Sequence, residues 1–297
     1  MRMNVWTAWK VGMRTKTGGD GSFRAVLRQL AGNIHRPERF SWTLRPMDFL
    51  RYREFDFALR AISELPTPRR ILDLSSPKLL PLTLASRFPE AQCISTDILE
   101  REVHWTEEKA RLLKLGNVRC ERQDARRLDY PDGHFDLITS ISVFEHIAPE
   151  VGGDIPAILE LARVLRPGGW AMITVPASRR YMADYQPGDV YERQAGSGKN
   201  FFQRFYTREM LEENFVQRPG LKLVRMKFVE ERFFSKDPNR RIAHWINCSP
   251  AQNTAFGPFY PLLSHVFLSE PKSWEKCEKP YIACIVLQKP AAIRLAA

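Results

Sequence analysis

Between residues 71 and 175 the sequence alternates short apolar runs with segments of helical periodicity. Continuous apolar runs are typical of parallel strands that are buried on both faces. A strand–helix–strand succession with short connections predicts an α/β fold, in which a doubly wound, mostly parallel sheet carries helices on both faces. The predicted strands are 71–74, 91–96, 118–122, 135–142 and 170–175, and the predicted helices are 79–88, 102–115 and 155–165.

The pattern continues on both sides of this core. Helical spacing within residues 46–65, ended by Pro66 and Pro68, predicts a helix that leads into the sheet. A helix at 207–216, with Thr207 as its N-cap, and strands at 221–230 and 281–289 complete a seven-stranded sheet. We therefore expect a basic N-terminal extension with a cap helix (1–68) and one domain (69–297) that contains a long loop at 177–204 and an insertion at 231–280.

Two features of these added segments leave alternatives open. The insertion is rich in aromatic residues, which either cover an apolar substrate or pack a small core of their own.

Residues 1–70 hold 14 Lys+Arg against 6 Asp+Glu, a surplus of eight within a formal net charge of +11. This surplus predicts either a solvated, mobile terminus or contact with an anionic membrane or another anionic partner. Trp6 and Trp9 beside Lys10 and Arg14 are compatible with a membrane surface, whereas no RNA- or DNA-binding motif accompanies the charge.

Composition and spacing exclude several classes. Charges or prolines interrupt every apolar stretch, so no membrane span is expected. The five cysteines are odd in number and lack a C-x-x-C pair, which favours a reducing cytoplasm over a disulfide framework or a zinc site. The six histidines lack metal-binding spacing, so we expect no metal. The sequence also lacks the G-x-S-x-G, G-x-x-x-x-G-K-[ST] and G-x-G-x-x-G motifs of hydrolases, phosphate-binding loops and nicotinamide enzymes.

Acidic residues lie at the ends of three successive predicted strands: Asp73, Asp97 and Asp124. Ligands of open α/β sheets bind at the carboxyl ends of the strands, where the strand order reverses. Asp97 can accept hydrogen bonds from both ribose hydroxyls of a nucleoside, and Asp124 can accept one from an adenine amine. Three carboxylates would repel a phosphate-rich ligand and favour a nucleoside with a cationic tail.

The chain resembles the class I S-adenosylmethionine-dependent methyltransferases, and most closely their ubiquinone and menaquinone biosynthesis branch. The resemblance covers residues 69–176 and continues more loosely to 230. Each motif is weak by itself, but five occur in the family's order and at regular spacing. They are Ile71-Leu72-Asp73-Leu74, Ser95-Thr96-Asp97, Gln123-Asp124-Ala125, the fourth strand Phe135 to Ser140 with its exit Val143 to Ile147, and the turn Leu165-Arg166-Pro167-Gly168-Gly169.

The resemblance implies S-adenosylmethionine as cofactor and methyl transfer to a small-molecule or lipid-like acceptor. It makes His146 the candidate general base, with shaping of the cofactor pocket as its alternative role. We also expect the N-terminal helix and the 177–204 loop to cover the substrate. The cofactor-binding residues carried over from the family are Asp73, Leu74, Ser75, Ser76, Pro77, Asp97, Ile98, Asp124, Ala125, Ser140 and Ile141.

One loop departs from the family pattern. After the first strand the family carries glycines, which reach positive φ without a Cβ penalty, whereas this chain has Ser75-Ser76-Pro77. The loop takes an alternative turn in which the Ser75 and Ser76 hydroxyls replace the lost backbone contacts, or the site binds a different ligand, or the chain is a non-enzymatic binding or scaffold protein. We prefer the first interpretation, because Asp97 and Asp124 have little reason to lie at strand ends in a dead site. Methylation of RNA is a further alternative that draws on the basic N-terminus.

Overall fold

A computed structural model describes residues 3–191, 193, 198–232 and 250–291. Its main sheet has seven strands in the order β3-β2-β1-β4-β5-β9-β8. The first five strands pair in parallel, and β9 lies antiparallel between β5 and β8. The predicted doubly wound sheet is therefore confirmed. The strands are Arg70–Leu74 (β1), Gln92–Asp97 (β2), Val118–Arg122 (β3), Phe135–Ile141 (β4), Leu165–Pro176 (β5), Met182–Pro187 (β6), Lys199–Phe205 (β7), Lys222–Glu230 (β8) and Pro280–Gln288 (β9).

Helices cover both faces of this sheet, and alternate residues of β1 show how. Ile71 packs into one apolar cluster, whereas Leu72 and Leu74 pack into the cluster on the opposite face. The helices are Val5–Lys16 (α1), Phe23–Gly32 (α2), Pro37–Leu44 (α3), Arg51–Ile62 (α4), Leu79–Arg87 (α5), Glu100–Leu112 (α6), Ile155–Val164 (α7), Arg208–Glu212 (α8), Pro250–Phe256 (α9) and Tyr260–Phe267 (α10), with shorter turns at Phe144–His146, Glu213–Gln217, Gly257–Phe259 and Trp274–Lys276.

The N-terminal residues fold onto the domain. Val5, Ala8 and Val11 of α1 are buried, and α1 packs on α4 and α5. At Gly12 a Cβ would lie 2.7 Å from Cβ of Pro46, so only glycine allows α1 to approach residues 45–48 this closely. The expectation of a solvated, mobile terminus is wrong for this part of the chain, because its apolar face has a partner on the sheet domain.

The two added segments also have defined structure where they are described. Within residues 177–204, β6 and β7 form an antiparallel pair. In the 231–280 insertion, Tyr260 is buried and its ring meets that of Phe49 edge-on, 6.0 Å between centroids. Tyr260 therefore packs into the main core and not into a separate core of the insertion. The aromatic residues Phe233, Phe234 and Trp245 lie outside the described residues.

The strand order reverses between β1 and β4, which pair from Ile71–Leu137 to Asp73–Thr139. Open α/β sheets bind ligands at this point, outside the carboxyl ends of the strands. Among the described residues, no helix is both long enough and apolar enough to cross a membrane.

Candidate functional site

A cavity of about 390 Å³ opens at the carboxyl ends of β1 to β4. Its volume is within the range of small-molecule sites, which hold about 300–1,000 Å³. Seven of the predicted site residues line this cavity together with His146, and they are Ser75, Ser76, Pro77, Asp97, Ile98, Asp124 and Ala125. The strand ends therefore bring residues from three separate motifs to one cavity.

Asp97 ends β2 with both carboxylate oxygens engaged. One oxygen accepts the Leu99 N–H at 2.9 Å, and the other forms a buried ion pair with the Lys78 ammonium. Lys78 also lines the cavity. The acid predicted to hold a ribose thus carries a cation. The motifs assign no role to Lys78, although Lys78 directly follows the loop.

Asp124 lies across the cavity beside Ala125. Its carboxylate binds the Arg126 guanidinium in a two-point contact, with N–O distances of 3.0 and 2.7 Å, and this contact lowers the pKa of Asp124. Ile98 adds an exposed apolar side chain to the same wall. The wall therefore combines carboxylates with apolar side chains, the combination that an adenosine requires.

The glycine-free loop adopts the backbone conformation that glycine would favour. Ser75 has a φ of +54°, and its N–H donates to the Thr96 carbonyl at 3.0 Å. Such a φ costs a non-glycine residue about 1 kcal/mol. The Ser76 hydroxyl accepts the Ile141 N–H at 2.9 Å, which ties the loop to β4. The loop thus keeps the left-handed turn and does not take the alternative turn that the first interpretation expects, and the replacement of lost contacts by the two serine hydroxyls stays a prediction.

Four predicted residues lie beneath the cavity and do not line it: Asp73, Leu74, Ser140 and Ile141. The buried Asp73 accepts hydrogen bonds from the Thr139 hydroxyl at 2.6 Å and from the Ser76 N–H at 3.1 Å. Burial raises the pKa of Asp73 to about 6. These contacts fix the loop on the sheet, so the four residues support the cavity wall from below.

His146 reaches the cavity in an apolar setting. Its Nδ1 lies 2.8 Å from the Phe202 carbonyl, which can only accept, so Nδ1 carries the proton. Burial lowers the pKa of His146 to about 4 and raises that of the neighbouring Glu145 to about 8. His146 is therefore neutral at pH 7 and a weak base there, since an efficient base has a pKa near the working pH.

Strained backbone is concentrated at this cavity. Among the described residues, four non-glycine residues have positive φ, and Ser75, Ser142 and Tyr191 of these line it. Such strain clusters at functional sites. The Ser142 hydroxyl donates to the buried Glu54 of α4 at 2.7 Å, and Glu54 pairs with Arg51. The sequence pattern predicts this helix, but it does not reveal the hydrogen bond between Glu54 and Ser142.

Comparison with known proteins identifies the segment that carries the cavity. Residues 72–173 match the sequence profile of the family described as methyltransferase domain. The match covers about a third of the chain. Together with the relatives described next, it confirms the resemblance to class I S-adenosylmethionine-dependent methyltransferases on which the cofactor prediction rests.

Two relatives are similar to this chain in sequence, and a solved structure is similar to it in fold. The chain is similar to the demethylmenaquinone methyltransferase of Deinococcus radiodurans, with 33% identity over 104 residues that cover 35% of this chain and 41% of the relative. The enzyme of the same name from Thermus thermophilus shares 36% over 120 residues, 40% of this chain and 50% of the relative. The chain thus spans half or less of these relatives. A S-adenosylmethionine-dependent methyltransferase structure from Methanosarcina mazei has a TM-score of 0.51 at 15% identity, over 78% of this chain and 97% of that one, which shows the shared fold.

Proposed function

We propose that this chain is an S-adenosylmethionine-dependent methyltransferase that acts on a small-molecule acceptor. The observation that carries the proposal is that Asp97 and Asp124, from different strand ends, face one cavity in a methyltransferase domain. A scaffold protein that had lost the cofactor would have no need of this pair.

The residues present fit the cofactor's adenosine. The ribose hydroxyls would take the place of the Lys78 ammonium on Asp97, and the adenine would lie against Ile98 and Ala125 with its amine toward Asp124. The expected acidic wall is wrong, because Lys78, Arg101, Arg126 and Arg193 line the cavity beside Asp97, Glu102 and Asp124, so its net charge does not disfavour phosphates. The positive φ of Ser75 supports the fit, because it keeps the backbone turn that the family's glycines provide.

Catalysis would depend mainly on positioning. The bound cofactor supplies a methyl group that is already activated, and alignment of the two reactants is worth about 7–11 kcal/mol. His146 and Tyr191 both line the cavity, with their ring centroids 5.1 Å apart. We assign His146 to shaping the pocket, because a neutral imidazole with a pKa of about 4 takes up little proton at pH 7.

Calorimetric titration with S-adenosylhomocysteine tests the proposal. We expect micromolar binding that Asp97→Ala abolishes. Asp129→Asn is the matched control, since Asp129 is exposed and outside the cavity, and it should bind as the wild type does. Absence of heat at millimolar ligand with a folded protein would instead support the non-enzymatic scaffold.

We propose a ring-shaped, quinone-like acceptor, as the names of the two bacterial relatives suggest for those proteins. A cytoplasmic location is proposed with it, since Cys93, Cys120, Cys277 and Cys284 are all free thiols.

Contact with an anionic membrane is proposed through α2, where apolar and basic side chains share the exposed surface. Phe23 and Leu27, one helical turn apart, are 76% and 47% exposed, and Ile34 just beyond the helix is 65% exposed. Arg24, Arg28 and Arg36 accompany them, with no acidic residue between Asp20 and Glu38. This pairing favours an anionic lipid surface. The Trp6 and Trp9 surface is a weaker candidate, because α1 buries its apolar face on the domain.

A further inference from the structure

A second cavity, of about 360 Å³, adjoins the cofactor cavity and shares Pro77, Lys78 and Glu102 with it. Its walls come from the end of α1, the segment 45–48, the start of α4 and the helices α5 and α6. The apolar side chains on these walls form a lining suited to a flat ring, and they are Pro46, Met47, Phe55, Leu79 and Trp105.

Positive charge dominates this second cavity. Lys16, Arg45, Arg51 and Lys78 line it, against two carboxylates, Asp48 and Glu102. Lys78 is paired with Asp97 and Arg51 with Glu54, but neither partner lines the second cavity. Within the described part of the chain, the buried Nε of Arg51 has no hydrogen-bond partner. The cavity therefore offers donors and positive charge to an anion.

The positive charge in this cavity affects the pKa of Lys16. Burial and the nearby Arg45 lower the pKa of Lys16 to about 7, although Asp48 acts in the opposite direction. An anion between Lys16 and Arg45 would relieve their repulsion and favour the charged form of Lys16.

Arg51 connects the two cavities. It lines the second cavity, and its charge also lowers the pKa of His146 and opposes the rise in the pKa of Tyr191, two residues of the first cavity. A group bound at Arg51 therefore lies next to the wall where the cofactor cavity ends.

We propose that the second cavity receives an anionic group of the methyl acceptor, a carboxylate or an ionised ring hydroxyl, bound by Lys16, Arg45 and Arg51. This inference rests on the proposed function, which it deepens by giving the acceptor an acidic ring. Where the anionic group is a ring hydroxyl, the cations would stabilise the form that has already lost its proton to solvent. No side chain in the first cavity would then have to remove the hydroxyl proton.

The test uses fluorine NMR of the full chain, saturated with S-adenosylhomocysteine, and two probes of the same shape. The charged probe is 4-fluorobenzoate and the neutral one is 4-fluorobenzyl alcohol. We expect the benzoate resonance to broaden and the alcohol resonance to stay sharp. Lys16→Met and Arg45→Met should each weaken benzoate binding about tenfold or more. Lys10→Met is the control, because Lys10 is exposed on the same helix and should leave binding unchanged.

A pH series adds a second readout. Benzoate binding should fall as the pH rises through about 7, where Lys16 loses its proton, and this step should be absent in Lys16→Met. The other charged groups that line this cavity with Lys16 are Arg45, Arg51, Lys78, Asp48 and Glu102, and the Lys16→Met variant separates the titration of Lys16 from any effect of theirs.

Three results would overturn the inference. Equal binding of both probes would show that charge is not recognised, and unchanged benzoate binding in both variants would place the probe elsewhere. If Lys16→Met instead weakens S-adenosylhomocysteine, and benzoate competes with that ligand, the cavity holds the cofactor's own carboxylate. Failure of the proposed function has a different signature, in which benzoate binds but S-adenosylhomocysteine gives no heat.

Discussion

The Lys78 ammonium donates to the Asp97 carboxylate, so a buried cation occupies the acid expected to bind a ribose. Ligand binding must therefore exchange one partner of Asp97 for another. Lys78→Gln should tighten S-adenosylhomocysteine binding about tenfold, or about 1.4 kcal/mol, because the ribose no longer displaces a charge. Calorimetry at constant salt measures this change, with Lys10→Met as the control. Weaker binding in Lys78→Gln would mean that Lys78 contacts the ligand directly.

The left-handed backbone at Ser75 predicts that replacing this residue by glycine stabilises the folded protein. Ser75→Gly should raise the free energy of unfolding by about 1 kcal/mol, because glycine adopts a φ of +54° without the Cβ penalty. Ser86→Gly, at an exposed position within α5, should lower it by about 0.5 kcal/mol. Urea denaturation of both variants would decide, and a loss of stability in Ser75→Gly would show that its side chain matters more than its backbone.

Burial of Glu145 makes stability depend on pH. Since the pKa of Glu145 rises from 4.5 to about 8 on folding, the folded protein binds more protons than the unfolded chain between these values. The Glu145 contribution to the free energy of unfolding should therefore fall as the pH rises across this range, whereas the lowered pKa of His146 acts in the opposite direction between about 4 and 6.5. Glu145→Gln should flatten the fall between pH of about 6 and about 8 by on the order of 2 kcal/mol. Exposed Glu90→Gln should leave the slope unchanged, and the idea fails if both variants keep the wild-type slope.

The surface of α2 predicts binding to anionic vesicles. The chain should sediment with vesicles that contain phosphatidylglycerol and stay free with pure phosphatidylcholine. Replacing Phe23 and Leu27 by serine should reduce sedimentation at least tenfold, because the apolar contact is lost. Val151→Ser is the control, since Val151 is also strongly exposed but lies in another part of the fold. Undiminished sedimentation of the double variant would place the contact elsewhere.

Much of the sheet was predictable because a strand that is buried on both faces has apolar residues in succession, as in Ile71-Leu72 followed by Leu74. The carboxylates at strand ends followed from the topology. Their cationic partners did not, since a motif does not encode which rotamer Lys78 or Arg126 adopts. The contacts of Glu54 could not be predicted for another reason. Its partners Ser142 and Thr174 lie 88 and 120 residues away, and helical spacing does not reveal that a carboxylate points inward.

The close packing at Gly12 has a mechanical consequence for the second cavity. Because no side chain separates α1 from Pro46, the two segments that carry Lys16 and Arg45 pack directly against each other. A displacement at the contact between α1 and Pro46 would therefore change the positions of Lys16 and Arg45 together. A single insertion of a methyl group at this contact, through Gly12→Ala, would disturb both at once.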